Sequence, residues 1–157
     1  MKKLLLILLC LPMIGFGQED AYIEEDFDGN TVFVIVEQMP EFPCIDIKFN
    51  SYDENGEIIG YRTKEYCGQE GLMRYIAKNV RYPQIAKEYN ITGKVYVQFI
   101  VDKDGSVTDV KILRGIDQNL DAEALRVIRS LPKFKPGKQR GEPCRVAFTI
   151  PINFQLN

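Results

Sequence analysis

The sequence predicts an α+β domain: an antiparallel sheet with helices packed on one face, and a second β-hairpin at 45–66. Three stretches carry that prediction. In Gly93–Gly115 (GKVYVQFIVDKDGSVTDVKILRG), Val95, Val97, Phe99 and Val101 alternate with Lys94, Tyr96, Gln98 and Asp102, the period of a strand with one buried face. Asp102-Lys103-Asp104-Gly105 supplies a tight turn, and Val107, Val110, Ile112 and Leu113 make the return strand, with a slip in alternation between Val107 and Val110. Leu120–Leu131 puts Leu120, Ala124, Val127, Ile128 and Leu131 on one helical stripe, and from Cys144 to Phe154 every second residue is apolar. A lone hairpin is not stable in water, so these elements must cover one another.

Residues 1–17 read as a signal peptide. Lys2 and Lys3 precede an apolar core, Leu4–Leu11, and Gly15-Phe16-Gly17 is a small-x-small cleavage site, so an exported mature chain starting at Gln18 is expected. The alternatives are an uncleaved membrane anchor, opposed by Pro12 and the shortness of the run, and a lipid on Cys10, opposed by the large leucines before it. Removing Lys2 and Lys3 leaves 18 basic against 22 acidic residues, which points neither to nucleic acid nor to a membrane surface. Residues 18–30 hold six carboxylates and no basic residue, the composition of a flexible, solvated arm.

The folded domain is expected over 31–157. Thr31–Glu37 (TVFVIVE) has strand composition and ends at Met39-Pro40-Glu41-Phe42-Pro43. Residues 45–66 form the second hairpin, turning at Asp53-Glu54-Asn55-Gly56. Cys44 and Cys67 bracket it, where the two ends of a hairpin lie side by side. A disulfide there would contribute roughly 3 kcal/mol by closing the loop; two unpaired thiols are the other reading. Cys144 is left over, on the apolar face of the last strand, as a buried thiol. Gln69–Asn79 and Gln84–Tyr89 read as short helices separated by Tyr82-Pro83. Asp117 or Asn119 caps the Leu120–Leu131 helix and Pro132 stops it. Lys133, Lys135, Lys138 and Arg140 make the following loop basic, and Pro151 means that the last strand is an edge or departs from the ladder there.

Catalytic and metal chemistry find little support. The chain has 0 histidines, which removes the commonest general base and metal ligand. Asp102-x-Asp104 is not an EF-hand, because Val107 and Leu113 stand where that loop needs glycine and glutamate. No phosphate-binding glycine loop occurs. The expectation is a protein that is not an enzyme and takes no cofactor or metal, the rival being an envelope enzyme built on Cys144 or a Tyr-Arg pair.

Five stretches in order, MPEFP (39–43), GLMRYIAKNVRYP (71–83), ITGKVYVQFIVDKDGSVTDVKILRG (91–115), LDAEALRVIRSLPKFKPGKQRGEP (120–143) and VAFTIPINF (146–154), resemble the TonB C-terminal domain family. The resemblance implies a small α+β fold, a three-stranded antiparallel sheet with two helices to which the 45–66 hairpin is an insert, and a periplasmic module linked to energised outer-membrane transport, with an outer-membrane receptor or another envelope protein as partner. It implies binding by β-strand addition beside the last strand, here Val146, Phe148, Ile150, Ile152 and Phe154, with further contacts at Asn79, Arg81, Tyr82 and Pro83. A homodimer through the last strand is a further partner that edge admits. Two departures stand out. Relatives with PEFP run directly into Gly-Gly and the helix before Tyr-Pro, whereas here the bracketed hairpin intervenes and only Gly68 remains. The 13-residue arm reaches only about 45 Å, so a freely exported module is expected, the alternative being a membrane-anchored energy transducer.

Overall fold

The computed structural model describes residues 23–25 and 31–156. The signal peptide expected at 1–17 lies outside the described residues, as does most of 18–30. The elements run β1 (Ile23–Glu25), β2 (Thr31–Phe33), β3 (Ile45–Tyr52), β4 (Ile58–Tyr66), α1 (Gly68–Asn79), α2 (Gln84–Glu88), β5 (Gly93–Val101), β6 (Val107–Arg114), α3 (Gln118–Arg129), β7 (Gly137–Gln139), β8 (Glu142–Cys144) and β9 (Val146–Phe154).

The main sheet has the order β1-β2-β9-β5-β6, so the three core strands are β9, β5 and β6, all antiparallel. β5 is central because its apolar phase is complete: Val95, Val97, Phe99 and Val101 are fully buried. Over them lies α3, whose Leu120, Ala124, Val127 and Ile128 are buried in the same core as Leu72 and Ile76 of α1 and Ala86 of α2. Asp117 caps α3, its Oδ1 accepting hydrogen bonds from the N–H groups of Asn119 (2.9 Å) and Leu120 (3.4 Å). The slip in the central hairpin is a bulge: Gln98 pairs Lys111 but Ile100 pairs Thr108, and Asp109 takes φ 49°.

Short motifs far apart in sequence meet in one aromatic cluster. Phe42 of MPEFP lies edge-on to Phe134 of PKFKP at 5.3 Å, Phe134 is 6.1 Å from Phe148, and Phe148 stacks on Phe99 at 5.5 Å. Gly137 allows this approach. A Cβ there would sit 2.9 Å from both Pro40 Cδ and Val146 Cγ2.

Several boundaries differ from the sequence expectation. The strand expected over 31–37 ends at Phe33, because Val36 turns inward to pack on Cys144 and Val146 while Gln38 and Glu41 bridge to Lys138 and Lys135. Within 18–30, read as an arm, residues 23–25 pair antiparallel with β2. The basic loop contains the small hairpin β7–β8, which takes Cys144, so the last strand starts at Val146. The inserted hairpin forms as a separate two-stranded ribbon, with Ile45 opposite Tyr66 and Tyr52 opposite Ile58. Cys44 and Cys67 are joined in a disulfide at its base.

Gly105 is the tightest turn position. It has φ 83°, its carbonyl accepts from Phe134 N–H at 2.8 Å, and a Cβ would lie 1.9 Å from the Phe134 carbonyl oxygen. Gly56 has a similar φ of 84° but nothing within 4 Å. Gly105→Ala should therefore cost about 3 kcal/mol, from strain plus displacement of the Phe134 backbone, and Gly56→Ala only about 1 kcal/mol. Urea unfolding midpoints of the two variants measure the difference.

Candidate strand-pairing edge

β9 is paired along its whole length on one side only. There it meets β5 from Val101↔Val146 to Gly93↔Phe154. On the other side β2 pairs in parallel at Phe33↔Val146, with Phe33 N–H donating to Arg145 O at 2.9 Å. Among the described residues no strand covers that side beyond Val146.

Backbone alternation decides which groups face the open side. Arg145 directs its carbonyl toward β2, so the odd-numbered residues that follow, Ala147, Thr149, Pro151 and Asn153, direct their N–H and C=O outward. The even-numbered residues bond to β5. Pro151 thus falls where its missing N–H costs the β5 ladder nothing, the placement that admits proline in a strand.

The predicted residues Val146, Ile150, Ile152 and Phe154 have buried side chains, and Phe148 packs partly buried against the same core. Their side chains serve the core. The side chains that accompany the open edge are those of Ala147, Thr149, Pro151 and Asn153. The apolar phase of the strand marks the side chains that pack the core, and the polar phase of the same alternation marks those beside the open edge.

The second predicted segment is fixed beside the end of this strand. Tyr82 lies edge-on to Phe154 at 5.8 Å, and its hydroxyl donates to the Ile91 carbonyl. Arg81 N–H donates to Glu123 Oε1 at 2.7 Å, and Arg126 Nη2 donates to the Asn79 carbonyl at 2.8 Å. Asn79 closes the turn by donating from Nδ2 to Tyr75 O at 2.7 Å. Residues 79–83 are thereby held by α3, with Arg81 left exposed and Pro83 half-buried. Glu123 and Arg126 were not singled out from the sequence, and their distance from residue 80 in the chain left no local pattern to find them by.

Glu123 and Arg126 also pair with each other at 2.6 Å. Burial acts to raise the Glu123 carboxyl, but the hydrogen bonds from Arg126 and from Arg81 N–H together outweigh it and hold its pKa below the ordinary value. Cys144 behaves as a buried thiol: desolvation pushes its pKa up, against a smaller opposing effect of Lys103. Cys44, Glu65 and Cys67 lie close together, but both sulfurs are in the disulfide. Among the described residues, no helix is long and apolar enough to cross a membrane.

This is an α+β domain in which β9 presents an open strand edge. The family model for the C-terminal region of the Gram-negative bacterial TonB protein matches residues 78–156, half of the chain, and the chain belongs to that family. Protein TonB of Helicobacter pylori, in two strains, is 34% identical over 82 residues, covering 52% of this chain. The match spans only 27% and 28% of those relatives. Two solution structures of the Helicobacter pylori TonB C-terminal domain are 31% identical, with TM-scores of 0.44 and 0.43, covering 55% and 54% of this chain and 78% and 88% of theirs. The ribbon at 45–66 falls outside the family match.

Glu123→Gln should destabilise the domain by about 1–2 kcal/mol at pH 7, the cost of weakening hydrogen bonds to a charged acceptor. The sign follows from the lowered pKa: the carboxylate's contribution is present above the ordinary value of 4.5 and is lost as pH falls through the lowered folded value. Chemical denaturation across pH should show the variant and the parent converging in acid.

Proposed function

We propose that this chain is a TonB-like binding module of the cell envelope that captures an extended peptide segment as an added strand on the open edge of β9. Membership of the TonB C-terminal family supports, as the partner, the short periplasmic segment of an outer-membrane receptor in TonB-dependent transport, the alternative being a segment of another envelope protein. The observation that carries this reading is the outward row of backbone groups beyond the β2 bridge, at Thr149 and Asn153 and the carbonyls of Ala147 and Pro151, which no strand among the described residues pairs.

The edge sets the size of the partner. Between the end of β2 at Val146 and the end of β9 at Phe154 there is room for a strand of about seven residues, roughly 23 Å. Main-chain hydrogen bonds supply the affinity, and the exposed phase of β9, with Arg81 and Tyr82 beside its end, supplies the side-chain contacts. The partner residue facing Pro151 meets no donor there.

Thr149→Pro tests this directly. Its N–H points to the open side, so the substitution spares the β5 ladder, as native Pro151 does two residues on. Affinity for a synthetic peptide of an outer-membrane receptor's periplasmic segment should fall tenfold or more by calorimetry, with the unfolding free energy from urea denaturation within about 1 kcal/mol of the parent. Unchanged affinity would contradict strand addition at this edge.

A further inference from the structure

The ribbon of β3 and β4 is built to hold a rigid shape and leaves its end uncovered. At the base, Tyr66 is buried, with the Arg74 guanidinium 4.6 Å and the Lys64 ammonium 4.8 Å from its ring centroid, and Phe49 edge-on at 6.2 Å. The turn is locked by Asp53, whose Oδ1 accepts from Asn55 N–H (2.9 Å) and Glu57 N–H (2.8 Å) while its own N–H donates to Glu57 O. Between these fixed ends, Tyr52, Ile58, Ile59 and Tyr61 are 58%, 54%, 69% and 72% exposed. Asp53, Glu54 and Glu57 surround them, and no Lys or Arg occurs from 49 to 61. A tip of this charge is repelled by anionic lipid and suits an apolar surface with cations beside it.

The chain carries such a surface on its own body. Along 35–42, Val36, Pro40 and Phe42 turn inward, so Ile35 and Met39 face out, 57% and 47% exposed. Lys138 lies opposite Gln38, and Arg140 N–H donates to Glu37 Oε2 at 3.0 Å. Glu41 is taken by Lys135 at 3.5 Å, while neither Lys138 nor the Arg140 guanidinium has an ion-pair partner among the described residues. This strip adjoins the ribbon's own base, and the tip stands about 25 Å away along a disulfide-closed ribbon. The tip therefore reaches the strip of another molecule and not its own.

We propose that the 45–66 hairpin is a dimerisation arm, by which two copies of this chain embrace reciprocally about a two-fold axis. Each tip, through Tyr52, Ile58, Ile59 and Tyr61, lies on the other copy's Ile35–Met39 strip beside Lys138 and Arg140. Area favours the reciprocal arrangement. Allowing about 200 Å² for each large side chain, one tip offers roughly 500 Å². A single contact would bury about 1,000 Å² over both partners, at the lower limit for a specific interface, whereas two bury about 2,000 Å². A two-fold pair also closes, where a one-way contact would propagate into a filament. The dimer does not depend on the strand-addition reading, because the open edge of β9 takes no part in it.

Charge-swapped variants of the full-length protein test the arrangement by sedimentation velocity over about 1–200 μM. The parent should show a monomer–dimer equilibrium. Glu54→Lys with Glu57→Lys on the tip, and separately Lys138→Glu with Arg140→Glu on the strip, should each raise the dimer Kd tenfold or more. An equimolar mixture of the two should dimerise again, since each contact then pairs opposite charges, which also shows that both variants are folded. A parent that stays monomeric over the whole range would overturn the proposal. So would self-association that survives either charge variant, or that is lost with Thr149→Pro while persisting in the tip variant.

Discussion

The pairing of β5 with β9 is the interaction on which the rest of the structure depends. Nine residue pairs join strands some fifty positions apart, from Gly93↔Phe154 to Val101↔Val146. Because this ladder takes the inward-bonding phase of β9, the opposite phase is left facing outward, and the same alternation sends Val146, Ile150, Ile152 and Phe154 into the core. Core and open edge are thus two consequences of one register. A one-residue slip would exchange them, burying Thr149 and Asn153 and placing Pro151 against β5. The aromatic cluster guards against that slip, since Phe148 stacks on Phe99 only in this alignment.

Around this ladder the chain closes most of its exposed edges and leaves others. β2 covers the first residue of β9, the bulge at Asp109 twists β6, and residues 38–41 bridge to 135–138. The remaining length of β9 is open, and the 79–83 segment is clamped at its far end by Glu123 and Arg126. The ribbon at 45–66 is a second outlet, stapled by Cys44–Cys67 and set apart from the main sheet. Its exposed tip has no role in the core, so its geometry is fixed by local devices: the disulfide, the Tyr66 sandwich and the Asp53 turn.

Much of this was legible in the sequence, for physical reasons. The central hairpin, α3 and β9 combine strong periodicity with clear turn or cap residues, so their places followed from pattern alone, with the slip between Val107 and Val110 visible and the cap narrowed to Asp117 or Asn119, of which the structure uses Asp117. The inserted hairpin followed from Asn55-Gly56. What the sequence could not show were long-range assignments. Val36 ends β2 early because Cys144 and Val146 offer it a pocket, and the β7–β8 hairpin depends on that same packing. The outward phase of β9 required knowing which neighbour was absent, and the Glu123–Arg81 and Arg126–Asn79 bonds join residues 42 and 47 positions apart.

The most direct measurement is amide hydrogen exchange along β9, followed by NMR with and without a receptor segment peptide. The account predicts that Thr149 and Asn153 gain protection on binding, while Ala147, bonded to β2, and Phe148, Ile150 and Ile152, bonded to β5, change little. Protection that appears only in the 45–66 ribbon, or equally in both phases of β9, would contradict it.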